Sequence, residues 1–143
     1  EIFDEAILEV TSEIAKELAT VSRKNLSVPR RMEQSCFIVM EAIHLKKEFF
    51  LAIFDFVFSM VRTGEDMRSR IEVFTGGFRV VLRNLITEGI AKGELKESVD
   101  PEPAAEALFA LMESFALRVL LGVENDVHAA RGRFKTMISA LAM

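Results

Sequence analysis

Few side chains in this chain have the type and spacing that chemistry requires. The 143 residues hold two histidines, His44 and His128, and one cysteine, Cys36. Glu41-Ala42-Ile43-His44 reads Glu-x-x-His, a spacing that sets a carboxylate and an imidazole on one face of a helix. A di-iron bundle needs two such motifs plus two further glutamates from facing helices. The residue three before His128 is Asn125, so the second motif is missing. There is no Gly-x-Ser-x-Gly elbow, no phosphate-cradling Gly-rich loop and no paired-cysteine metal spacing. Cys36 has no second cysteine to resolve an oxidised thiol and reads as a small buried hydrophobe. The expectation is a chain with no catalytic residue, no metal and no cofactor.

What the chain does have is apolar surface of an adaptable kind. Twelve Phe and seven Met stand in a sequence with no Tyr and no Trp. Flat rings and flexible thioethers suit a cavity for a greasy ligand as well as an ordinary core. Polar residues scattered among those apolar faces, Gln34, His44, Ser59, Asn84 and Ser114, could orient a ligand's polar end.

Bulk properties narrow the class. A chain of this length is read as one domain, residues 1–143, able to bury roughly 70% of its unfolded surface. Half the residues are hydrophobic and 28% charged, the net charge is −4 and the pI about 5.3. An acidic balance argues against direct grip on nucleic acid, which needs clustered positive charge. A single cysteine excludes an internal disulfide framework and fits a reducing cytoplasm. The densest apolar run, Phe49–Val61, falls short of the ~20 residues needed to cross a bilayer.

Hydrophobic periodicity predicts six helices and no strand. The first, about 1–24, aligns Phe3, Ile7, Val10, Ile14, Leu18 and Val21. The second, about 29–45, starts near Pro29 and aligns Met32, Cys36, Met40 and Ile43. The third, about 46–62, is apolar on nearly every side, which predicts a helix surrounded by protein or facing a cavity. The fourth, about 66–92, is the longest; its mid-helix Gly76-Gly77 pair implies close helix packing, a mild kink or space left for a ligand. The fifth, about 101–122, has two apolar stripes, Leu108-Leu111-Phe115-Val119 and Ala105-Phe109-Met112-Ala116-Leu120. The sixth, about 125–142, carries Val127, Phe134, Ile138 and Leu141.

The junction between the fourth and fifth helices is the most informative stretch. In Gly89-Ile90-Ala91-Lys92-Gly93-Glu94-Leu95, Gly93 suits the left-handed residue beyond a helix end, and Lys92 puts a cation on the last turn. In Asp100-Pro101-Glu102-Pro103-Ala104-Ala105, Asp100 can cap a helix whose first position is Pro101. This Gly-x-x-x-Gly-Glu-Leu and Asp-Pro-Glu-x-Ala-Ala wording resembles the regulatory half of TetR/AcrR-type repressors, and the order of the remaining helices follows that family along the chain. Glu1-Ile2-Phe3-Asp4-Glu5-Ala6 looks like the opening of the family's connecting helix, so the chain is expected to be a fragment or processed form lacking the helix-turn-helix domain.

The resemblance implies an all-α, six-helix domain of the TetR C-terminal type, cytoplasmic and not an enzyme. It implies a small hydrophobic effector and, through the missing domain only, operator DNA. Residues expected near the effector are Phe37, Met40, His44, Phe54, Phe58, Phe74, Phe78 and Ser114, with Ile7, Val10 and Ile14 coupling the core to the DNA-binding heads. A homodimer is expected through the last two helices, using Ala105, Phe109, Met112, Ala116, Leu120, Phe134, Met137, Ile138 and Leu141. The competing readings are a helical-bundle enzyme or metal carrier using Glu41 and His44, and a purely structural dimerisation domain.

Overall fold

The computed structural model describes residues 2–143, with side chains described from Asp4 onward. Six α-helices follow in order: α1 (Ile2–Ser22), α2 (Val28–Leu45), α3 (Lys47–Arg62), α4 (Arg68–Ala91), α5 (Pro101–Leu120) and α6 (Val127–Leu141). Each lies within two residues or so of its predicted span, and there is no strand among the described residues. The expectations for Glu1 and for the side chain of Phe3 lie outside the described residues.

The helix ends follow from local chemistry. Gly64, Gly93 and Gly122 take φ of 86°, 72° and 78°, the left-handed region that a side chain resists. After α4, the Gly93 N–H donates to the Ile90 carbonyl at 3.1 Å and the Glu94 N–H to Gly89 at 2.8 Å. That pair of bonds satisfies carbonyls the helix leaves open. α3 and α5 end in the same way, through Gly64 and Gly122. At the other ends, the Asp126 side chain accepts from the His128 and Ala129 N–H groups, and Ser27 from Arg30. Asp100 stands at the α5 N-cap but makes no side-chain cap bond; its backbone carbonyl accepts from Ala104 instead.

The central helix is α2, which packs against each of the other five. Its Val28, Met32, Cys36 and Met40 are fully buried, among Leu82 and Ile86 of α4 and Phe134 of α6. Two readings of α3 follow from the sequence, surrounded by protein or facing a cavity, and the first does not hold. α3 packs on α2 and α5 and buries Phe50 and Ile53, but it exposes Leu51, Phe58 and Val61. Periodicity reports how many faces are apolar; it does not report how many neighbours are within reach.

The tightest point is where α4 ends beside the start of α2. A Cβ on Gly89 would lie 2.7 Å from Leu95 and 2.9 Å from Val28, so only glycine allows this approach. Leu95, fully buried, covers that glycine. Its neighbour Glu94 turns back so that Oε1 accepts the Val28 N–H at 2.6 Å, satisfying a donor at the first turn of α2. Beside it, Arg31 donates to Glu88 through both Nη1 and Nη2 and to the Leu26 carbonyl through Nε, while Lys92 reaches Glu88 at 2.8 Å. Arg31 is only 5% exposed. The C-terminal residues close the same corner: Lys96 N–H donates to Leu141 and Met143 N–H to Glu94.

The Gly76-Gly77 pair behaves otherwise. A Cβ on Gly77 meets nothing within 4 Å, and one on Gly76 meets only Glu72 and Arg79, side chains of its own helix. Neither close packing nor ligand space accounts for it.

Gly77→Ala should raise stability by about 0.5–1 kcal/mol through helix propensity, whereas Gly89→Ala should lower it by ~1–3 kcal/mol through overpacking; chemical denaturation checks both. The hydrogen bonds from Arg31, then Lys92, hold the Glu88 carboxyl at about 2, below its ordinary 4.5. A depressed folded value means the stabilisation is complete above about pH 4.5 and is lost as pH falls towards 2. Glu88→Gln should therefore cost ~2 kcal/mol at pH 7, discounted because Glu88 is about one-third exposed, and should flatten the acid limb of the stability profile.

Candidate functional site

α3 runs close to α2 and α5, but its backbone makes no close approach to α1 or α4 among the described residues. The wedge left between α1, α3 and α4 is bridged by side chains and leaves a half-open cavity of about 340 Å³. That volume lies in the range of small-molecule sites. Ile7 and Leu8 come from α1, Ile53, Phe56 and Val57 from α3, and Ile71, Val73 and Phe74 from α4, with Met67 just before it. Phe74 also lies against the buried Phe50, ring centres 5.9 Å apart, and Phe50 meets Phe49 edge to face.

Each helix contributes for a local reason. On α1 the apolar stripe runs from Ile7 to Val21; Val10, Leu18 and Val21 are buried among neighbouring helices, leaving Ile7 for the cavity wall. On α3, Phe50 and Ile53 are buried, and Ile53, Phe56 and Val57 line the wedge. The first two turns of α4 lie across the opening, and from Leu82 onward the same helix is buried.

The polar groups of the lining are few: Asp4, Ser69 and Arg70. Arg70 Nη2 donates to Asp4 Oδ1 at 2.6 Å, joining the first turn of α1 to that of α4. The guanidinium carbon of Arg70 also sits 5.2 Å from the centre of the Phe56 ring, within the range of a cation–π contact. Both members of the ion pair are about half exposed.

Of the eight residues expected near a ligand, Phe74 lines this cavity. Met40 is fully buried in the core, and Phe78 packs against Phe109, 6.4 Å between centres. Phe54 and Phe58 lie side by side on α3, with Phe58 55% exposed. Phe37 faces α6, under Arg131 at 4.2 Å and beside His128. His44 and Ser114 are exposed and stand outside the lining. Sequence reasoning missed most of the wall, because Ile53, Val57 and Ile71 carry no signal that distinguishes cavity from core. Leu8 and Val73 lie off the main apolar stripes altogether.

The expected dimer residues are also placed differently. Ala105, Met112, Ala116, Phe134 and Ile138 are buried in the protomer's own core, and Phe109, Leu120 and Leu141 are half-buried; Met137 is exposed. Most of both apolar stripes of α5 is buried within one chain, because α5 lies against α2, α3, α4 and α6 at once. Ala105, Met112, Ala116, Phe134 and Ile138 are therefore corrected to core positions.

The other chemical candidates stand apart. Burial pushes the Cys36 thiol up to about 12, with the charge of Glu33 adding to it, so the thiolate that reactivity requires is withheld. Glu41 and His44 are exposed on α2, and no group of three or more His, Cys, Asp or Glu side chains converges among the described residues. Among the described residues no helix is long and apolar enough to cross a membrane.

No curated protein and no solved structure matches the chain. A family model described as the tetracyclin repressor-like C-terminal domain matches residues 54–134, more than half of the 143. The match runs from the cavity-facing half of α3 through the α4–α5 corner to Phe134 of α6, and with six helices in family order the chain belongs to the tetracyclin repressor-like, TetR-type C-terminal domain family.

Proposed function

We propose that this chain is the regulatory domain of a TetR-like transcriptional regulator, in which a small hydrophobic effector enters the α1–α3–α4 cavity and biases operator binding by a helix-turn-helix domain outside this sequence. The cavity carries this reading: it is apolar, of ligand size, and walled on one side by α1, the helix that would lead to the DNA-binding part. The process is binding without catalysis. A ligand can shift a conformational equilibrium only as far as it prefers one arrangement, and a wedge whose walls are joined by side chains can open or close around an occupant. Phe74 remains in the proposed site, joined by Ile7, Ile53, Phe56, Val57 and Ile71.

The domain acts as a cytoplasmic homodimer through α5 and α6. The support is the surface that one protomer leaves uncovered. On α5 the exposed positions Ala107, Ala110, Ser114, Leu117 and Leu121 recur at three- and four-residue spacing. On α6, Ala129, Gly132, Thr136 and Ala140 do the same, with Met137 beside them, and a Cβ on Gly132 would meet only open space. Small side chains let paired helices approach closely, and a two-fold interface is self-complementary.

Two measurements test these readings. At ten times its dissociation constant, a neutral alkyl ligand such as 1-decanol should stabilise the protein by ~1.4 kcal/mol, roughly 3–6 °C in Tm. Val57→Trp, which fills the cavity, should abolish the shift, and an unchanged shift in that variant refutes the site. In sedimentation, wild-type protein should run as twice 16.1 kDa at micromolar concentration and Leu117→Glu as the monomer. A monomeric wild type overturns the dimer.

A further inference from the structure

We propose that the effector is an anionic amphiphile, and that its carboxylate takes Arg70 from Asp4 and so releases the first turns of α1 from α4. This rests on the effector reading of the cavity and adds both the ligand class and the contact it alters.

The cavity lining is apolar apart from Asp4, Ser69 and Arg70, and two of these, Asp4 and Arg70, meet each other. At ~30 Å³ per methylene-sized group, about 340 Å³ accepts roughly ten such groups. An alkyl chain of that size would leave its polar end at the Arg70 side of the wall. A guanidinium is the side chain best shaped to receive a carboxylate, through two parallel N–H donors. Asp4 engages that fork through Nη2.

The two charges at this end are not equivalent. Arg70 is held from behind by the ring of Phe56, itself part of the cavity wall. An incoming anion therefore finds a positioned cation whose ring contact it need not disturb. Asp4 is about half exposed, so it can turn to water at little cost when displaced, and an exposed ion pair is weak enough to exchange. An incoming cation meets the opposite situation: it must take Asp4 while Arg70 stays fixed beside it. Charge complementarity thus favours an anionic head.

The exchange has a structural consequence. The Arg70–Asp4 bond spans 66 residues and is the charged tie between the starts of α1 and α4. Once a ligand carboxylate holds Arg70, that tie between α1 and α4 is spent, and the apolar contacts of the wedge remain.

Titration calorimetry on this 143-residue chain with sodium decanoate, 1-decanol and decyltrimethylammonium, all below their micellar range, tests the proposal. Decanoate should bind about tenfold more tightly than decanol, the worth of a charge-assisted hydrogen bond, and the cation most weakly. Arg70→Gln should erase the preference of decanoate over decanol. Asp4→Asn should raise that preference by about threefold or more, a gain that a merely structural residue would not give. Amide exchange over residues 4–10 should quicken with decanoate at saturation and not with decanol. Equal binding of decanoate and decanol by wild type, tightest binding of the cation, or a lower preference for decanoate in Asp4→Asn overturns the proposal and leaves the effector cavity standing. If none of the three probes binds, both the proposal and the cavity reading fail.

Discussion

The approach of α4 to α2 at Gly89 is the constraint on which the rest of the molecule depends. At that position even a methyl group would collide with Leu95 and Val28, so the two helices are as close as backbone and small side chains permit. The contacts at this corner follow from that proximity. Leu95 can seal the gap because the chain reverses immediately after α4, and it reverses there because Gly93 accepts a positive φ. Glu94 reaches the first N–H of α2 because the reversal brings it alongside. Arg31 tolerates burial because Glu88, one turn before the helix end, meets its fork. A glycine, a reversal, a cap and a buried ion pair form one unit, and the wording of residues 89–95 is the covalent record of it.

Away from that corner the packing loosens steadily. The fully buried side chains, among them Met32, Cys36, Leu82, Ile86 and Phe134, lie along α2 and the parts of α4 and α6 that surround it. Towards the opposite end α3 leans on α2 and α5 alone, and the interior is spanned by phenylalanines and an exposed ion pair. Close-packed interiors do not deform continuously, so any adjustment to an occupant must be concentrated where the packing is already incomplete. The protein is thus graded, firm at one end and accommodating at the other, and the cavity lies at the accommodating end.

How much of this was legible in the sequence depends on the range of the interaction. Helix ends were readable because their causes are local: Gly93 as a left-handed cap, Pro101 as an opening residue. The α4–α5 corner was readable as a family resemblance, although the reason for its second letter, a glutamate that caps a helix 66 residues earlier, needs the tertiary structure. The cavity was foreseen in kind and misplaced in detail. An apolar α3 and a glycine pair on α4 suggested space, but Gly76-Gly77 faces outward, and the space arises from α3 standing away from α1 and α4, which no residue type encodes. The same holds for α5, whose two apolar stripes read as two partners and proved to be two sides of one core. Asp4 and Arg70 have no local signature at all; only the fold makes them neighbours.

The gradient gives α1 a mechanical character. Its last turns lie near the firm end, where Leu18 and Val21 are buried, and its first turns lie over the cavity. At 1.5 Å per residue its 21 residues form an arm of roughly 30 Å. Pivoted at the anchored end, such an arm converts a tilt of about 5° into a displacement of roughly 2.5 Å at its tip. A displacement of that size is about a single side chain's breadth, so a small change in the wedge is enough to tilt the whole rod about its anchored end.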